Sequence, residues 1–171
     1  MCSSSAKRFL EENDEFIAVG DVVKNSDVIV GSKNPRIIGV PQNRMEKHQM
    51  LMKIFGEDID IRTMKTTSLP FALEKGEVDA VLLDALAALP LKKEMVGTKD
   101  KVGDYSSYTM IATKSFYESK EFQDFRIMYN RGVDELRDDN LLNEYLLNGE
   151  KTEEGRVDKW RKWHVTMLEL P

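Results

Sequence analysis

The chain reads as an α/β protein, on three observations. Short β-branched runs such as "SDVIVGS", "PRIIGVP" and "VDAVLLD" alternate with helix-forming stretches. Those stretches carry start and stop residues of their own. Two-residue hairpin signals are few. Strand–helix order without hairpins implies parallel crossovers, and hence a sheet with helices packed on it.

The elements follow in order. Ser3, Ser4 and Ser5 precede "AKRFLEEN"; serine is a good N-cap and Ala, Lys, Arg, Leu and Glu are good helix formers, so a helix starts there. "FIAVGDVV" and "SDVIVGS" are strand-like, and the "KNSD" between them reads as a turn. "PRIIGVP" is a further strand. "QNRMEKHQMLMKIFG" is a helix whose apolar face is assigned to Met45, Gln49 and Met52 with Leu51 and Phe55, and Gly56 stops it. "DIDIRTM" alternates as a strand does. "SLPFALEKG" is a helix with Ser68 as N-cap, Pro70 in the first turn and Gly76 at the stop. "VDAVLLD" is a strand and "ALAALPLKKEM" a helix or turn. From Asp104 the pattern changes: "DYSSYTMIATKSF" is a long strand, and helices follow in which Phe122, Phe125, Met128 and Tyr129, then Val133 and Leu136, recur at helical spacing. Val157, Trp160 and Trp163 share one face of a last helix in the tail.

Composition narrows the function classes. The 171 residues suffice for one ordinary domain or two small lobes. A net charge of −5 with interspersed signs argues against a nucleic-acid binder, which carries a basic patch. The single cysteine, Cys2, forms no internal disulfide and no cysteine-based zinc site. No apolar run reaches membrane-spanning length, and no signal peptide is visible in this chain. "MCSSS" is similar to the start of a mature lipoprotein; the alternative reading of Cys2 is a partly buried thiol. His48 and His164 are far apart, each in a helical context, so no metal site is expected. Nucleophile-elbow, P-loop, Rossmann and H-E-x-x-H motifs are absent, so no catalytic residue and no cofactor is assigned. The nine methionines read as core filler.

Polar groups gathered at strand ends and helix starts are the remaining signal. In open α/β sheets, ligands collect at the carboxyl ends of strands. Gln42, Asn43 and Arg44 follow "IIGV", Thr66 follows "DIRTM", and Asp84 closes "VDAVLLD". A helix start offers N–H groups and partial positive charge, which favours an anion. Ser4, Ser5, Gln42, Asn43 and Arg44 are therefore candidate ligand residues, with Arg44 suited to a bidentate carboxylate, sulfonate or phosphate. Each has an ordinary alternative: N-capping for the serines, a solvated helix start for Arg44. Asp84 suits an amine or hydroxyl, or simply caps "ALAAL". Asn25, in "KNSD", is added to the candidates.

The order "SDVIVG", "RIIGVPQNR", helix, "FALEKGEVDAVLLD", then "DYSSYTMIATKSFYESKEFQDF" resembles the type II periplasmic-binding-protein family. The likeness is to solute-binding components of ABC importers for nitrate, taurine, sulfonates or thiamine precursors. Leu73, Gly76, Val78, Asp79 and Ala80 match the helix–strand unit of the second lobe, and Tyr105 to Thr113 the strand that returns to the first. The resemblance implies one complete α/β lobe (37–103) and an incomplete lobe (1–36 and 104–171) joined by crossing strands. It implies a small polar, anionic ligand in an interlobe cleft, an ABC permease as partner and an extracytoplasmic location. Tyr105 and Ser106 then lie by the hinge as further ligand candidates. The "SSSAKRF" and "QNRMEKH" helix starts are expected to face each other across a groove floored by "SDVIV" and "YTMIAT". Relative to a complete member the chain is expected to lack the opening of lobe one, at least one βαβ crossover of roughly 30 residues. Met1 is then internal to a longer chain, or the protein is a half-lobed derivative whose open sheet edge favours a homodimer. The alternative on the same fold is an enzyme of the menaquinone-pathway or pyrimidine-precursor type.

Overall fold

The computed structural model describes residues 1–42, 44–147 and 155–171. In chain order the elements begin with α1 (Ser3–Glu12), β1 (Phe16–Lys24), β2 (Asp27–Gly31), β3 (Ile37–Pro41), α2 (Met45–Phe55) and β4 (Asp60–Met64). Next come α3 (Leu69–Glu74), β5 (Ala80–Asp84), α4 (Ala85–Ala88), β6 (Met95–Gly97) and α5 (Lys99–Val102). The remainder is β7 (Ser106–Thr113), α6 (Lys114–Tyr117), α7 (Lys120–Glu135), α8 (Asp139–Leu147), α9 (Arg156–Lys162) and β8 (Thr166–Met167). Two compact units result: an inserted unit, Ser26–Asp104, and a flanking unit, Met1–Asn25 with Tyr105–Pro171.

The inserted unit is built on a five-stranded sheet of order β4-β3-β5-β2-β6. β3 runs parallel to β4 and β5, so "RIIGV", "DIRTM" and "VDAVLLD" share one sheet, as expected. β2 lies antiparallel between β5 and β6. This moves the unit boundary from 36/37 to 25/26. Val28, Ile29 and Val30 pair on both sides and are buried, so β2 is an interior strand of this sheet. Strands buried on both faces read as continuous apolar runs, and such a run does not reveal which sheet it joins.

Helices cover both faces. Leu51 of α2 packs on Ile38, Val40, Ala80 and Leu82, with Ile54 and Phe55 beside it. That is the apolar face; Met45 and Met52, assigned to it from the sequence, are exposed. Alternation along β3 turns Gly39 to the other face, where a Cβ would stand 2.8 Å from Leu69 Cδ2 of α3. Ser68 stands at the N-cap position of α3 with Pro70 in its first turn, and no side-chain cap bond forms. Asp79, just before β5, fastens the start of β3. Its Oδ2 accepts the N–H groups of Arg36 (2.8 Å) and Ile37 (3.0 Å). These two backbone bonds hold its carboxyl below the ordinary aspartate range.

The flanking unit has a three-stranded sheet of order β7-β1-β8, antiparallel throughout. Among the described residues, the parallel crossovers expected from the sequence thus occur only in the inserted unit. β1 pairs with β7 from Phe16↔Thr113 to Lys24↔Ser106. "KNSD" is not a hairpin turn: β1 and β2 lie in different sheets and the chain passes from one unit to the other there. β2 and β7 likewise belong to different sheets. Phe122 of α7 packs with Val19, Ala112 and Leu170, flanked by Phe125 and Tyr129. Met128, placed on that face by spacing, is exposed. Trp160 and Trp163 are buried, but α9 ends at Lys162. His164 then adopts a left-handed φ of 58° and turns the chain into β8, so it is a turn residue and not a helical one. Asn130 clasps the tail: its Oδ1 accepts Leu170 N–H (2.7 Å) and its Nδ2 donates to Leu170 O (2.9 Å).

Candidate ligand-binding site

The carboxyl ends of the parallel strands in the inserted unit fall at Pro41, Met64 and Asp84. Pro41 pairs with Met64 across β3 and β4. Gln42, Arg44, Thr66 and Asp84 therefore stand along one edge of one sheet. Gln42 N–H donates to Met64 O at 2.9 Å, holding the β3–α2 loop against the end of β4. Arg44 is the N-cap residue of α2, with its guanidinium 3.8 Å from Glu46 and about one third exposed. Thr66 is exposed in a 3-10 turn (Thr66–Ser68) after β4. Asp84 Oδ1 accepts Leu86 N–H at 3.1 Å and caps α4, the ordinary role weighed for it. Asn43 lies outside the described residues.

Antiparallel β2 brings further groups to this edge that the sequence reading missed. Asp27 pairs with Asp84 in register. Its carboxylate forms an ion pair with Lys47 of α2, the two side chains only 10 % and 15 % exposed. Thr98, fully buried after β6, donates from Oγ1 to Asp27 O at 3.2 Å. A positive group one turn into a helix is thereby held at the strand ends by a carboxylate from the neighbouring strand. Lys47 follows Arg44 by three residues, which places both on one side of the helix start. That spacing was the available signal.

In the flanking unit the hydroxyls gather at the start of α1. Cys2, not a serine, is the N-cap residue, and Ser3, Ser4 and Ser5 occupy the first turn. Cys2 Sγ stands 2.9 Å from Ser5 Oγ and 3.6 Å from Ser4 Oγ. Ser3 Oγ bonds Ser106 Oγ (2.8 Å) and lies 2.8 Å from Thr109 Oγ1, which donates to Asp21 (2.9 Å). Asn25 and Tyr105 are joined to each other. Asn25 N–H donates to Tyr105 O (3.2 Å), and Tyr105 N–H donates to Asn25 Oδ1 (3.1 Å). Asn25 Nδ2 donates to His164 O at 3.2 Å, so this side chain ties three backbone segments. Its φ of 60° is a left-handed conformation that Asn tolerates better than most residues. The candidates thus divide: Gln42, Arg44, Thr66 and Asp84 in the inserted unit, Ser4, Ser5, Asn25, Tyr105 and Ser106 in the flanking one. Among the described residues no group of three or more His, Cys, Asp or Glu is placed to hold a metal, and no helix is long and apolar enough to cross a membrane.

No protein-family model matches the chain, and no curated protein matches it. Solved structures do. The ligand-binding component of an ABC-type import system from Staphylococcus aureus, with zinc bound, superposes with a TM-score of 0.64 at 13 % identity, over 99 % of this chain and 66 % of that one. The periplasmic aliphatic sulphonate binding protein SsuA from Escherichia coli gives 0.61 at 14 %, over 92 % and 61 %. The alkanesulfonate-binding protein SsuA from Xanthomonas axonopodis pv. citri, bound to MOPS, gives 0.61 at 14 %, over 94 % and 61 %. The chain spans just under two thirds of the length of each. The fold is therefore the periplasmic-binding-protein-like α/β fold of ABC-import solute-binding components. At these identities the likeness defines the fold, and function must be argued from the site.

Proposed function

We propose that this chain is a solute-binding protein, or part of one, that binds a small polar anion for ABC-type import and delivers it to a permease. The reading rests on one observation above the rest: the carboxyl edge of the inserted unit carries Arg44 and Lys47 at the start of an eleven-residue helix, with Lys47 anchored by Asp27. Cationic donors and helix N–H groups at strand ends suit a carboxylate, sulfonate or phosphate. Gln42 and Thr66 supply further hydrogen-bonding groups on this reading. Binding is favoured over catalysis because all three structures compared are ligand-binding proteins.

A thermal-shift screen with sulfate, nitrate, phosphate, amino-sulfonates and carboxylates tests the proposal, since a ligand of the native state raises the melting temperature. Arg44→Ala is expected to weaken the best anion by about one to two orders of magnitude, as a charge-assisted hydrogen bond is worth roughly 1.5–3 kcal/mol. The fold should be unaffected, because Arg44 caps α2 through its backbone and forms no side-chain cap bond. Lys47→Met should weaken the anion as well, and should also lower stability by leaving Asp27 without its counter-charge. An anion bound equally by Arg44→Ala and the parent would place the site elsewhere.

A further inference from the structure

A concavity lies in the inserted unit at the edge of its sheet opposite Arg44 and Thr66. Gly31, at the end of β2, pairs with Ala80, the first residue of β5. Ile54 and Phe55 close α2 just before β4 begins. A groove of about 390 Å³ opens here, at the amino ends of the parallel strands. Its volume falls in the range of small-molecule sites, roughly 300–1,000 Å³. Ile29, Ile54, Phe55 and Val96 form apolar walls. The ionisable groups lining it are Lys33 and Lys101, and no carboxylate does. Lys33 is held by Glu94 at 2.5 Å on the exposed surface. Lys101 has no ion-pair or hydrogen-bond partner for its ammonium among the described residues. The walls are tied together: Lys53 Nζ donates to Val102 O at 3.1 Å and fastens the end of α2 to α5, which carries Lys101.

We propose that this groove is a second ligand site, for an amphipathic monoanion: a short hydrocarbon body seated between Ile29, Ile54, Phe55 and Val96, with its carboxylate on Lys101. The apolar walls reward burial of the hydrocarbon, and the ammonium without a counter-charge selects an anionic head over a neutral one. The inference is independent of the anion site at the carboxyl edge, because it uses none of the same residues.

Octanoate and octanol, titrated into the full chain and followed by amide chemical shifts, test it. Octanoate should saturate, with shifts confined to residues 29–34, 54–56 and 96–102. Octanol should bind at least about tenfold more weakly. Lys101→Glu, on an exposed side chain, should weaken octanoate by about tenfold or more and leave octanol unchanged. Val96→Glu should weaken both by placing charge on the apolar wall. The proposal is overturned if octanoate shifts cluster at residues 41–48, if octanoate and octanol bind alike, if Lys101→Glu binds octanoate as the parent does, or if octanoate does not saturate.

Discussion

In the inserted unit the fully buried side chains sit mainly on strands, among them Val28, Val30, Ile38, Val40 and Val81. In the flanking unit the large buried side chains sit on helices and the chain's tail: Phe122, Leu142, Trp160, Trp163 and Leu170. The first core is assembled from small β-branched residues in a mixed sheet covered on two faces. The second is assembled from large side chains that seal an antiparallel sheet of three strands, one of them only two residues long. A strand-borne core divides its burial among many positions. A helix-borne core over a small sheet concentrates it in a few. Single substitutions should therefore damage the two units differently.

The largest expected effect is Trp163→Ala. This side chain is almost wholly buried, so its removal should cost about 3–5 kcal/mol. Amide exchange should accelerate in the flanking unit far more than in β3 and β5; uniform acceleration would show that the units unfold as one. Gly31→Ala is the counterpart in the inserted unit, where backbone and not bulk is the weak point. Gly31 has a φ of 121°, and a Cβ would lie 2.6 Å from Asp79 O. A loss of about 3 kcal/mol is expected from strain and overpacking together, read as a shift of the urea midpoint. A change under about 0.5 kcal/mol, the range of a surface substitution, would mean that β2 ends more loosely than described.

Smaller effects sharpen the contrast. Tyr129 places its hydroxyl in the flanking core without a hydrogen-bond partner among the described residues, and burial pushes its pKa up. Tyr129→Phe should be neutral or stabilising by up to about 1 kcal/mol, since it removes a polar group buried at a cost. A clear loss of stability in a denaturant titration would reveal a partner for that hydroxyl. Asp79 gives the smallest effect, read from how stability falls in acid. Its folded pKa is lowered, so its contribution is complete above the ordinary aspartate value of about 3.9 and is lost as pH falls through the folded value. Asp79→Asn should flatten the stability profile below about pH 4 and change its slope little at neutral pH. Denaturant midpoints at a series of pH values measure this, and an unaltered acid slope would contradict the assigned hydrogen bonds.

Part of the candidate site was legible because its cue is local. Gln42, Arg44 and Thr66 follow recognisable strands and Asp84 closes one, and the three parallel strands do share a sheet. Asp27, Lys47 and Thr98 were not legible as site residues. Asp27 reaches that edge only because β2 runs antiparallel beside β5, more than fifty residues away in the chain. Asn25 was read as a turn residue, and its part in tying Tyr105 to His164 spans 80 and 139 residues. No local pattern encodes such distances.

By itself the sequence determined the class of fold, the existence of most elements and several of their ends, because these follow from short-range physics. Apolar periodicity, Pro70 in a first turn and glycine at the stops of α2 and α3 act within a few residues. Only the tertiary structure decided which strands are neighbours, which face of α2 is buried, and that β1 and β2 part into separate units. Those outcomes depend on which apolar surfaces meet. Met45 and Leu51 look alike in a periodic pattern, yet one is exposed and the other fully buried. What separates them is the sheet beneath α2, formed by strands drawn from across the inserted unit.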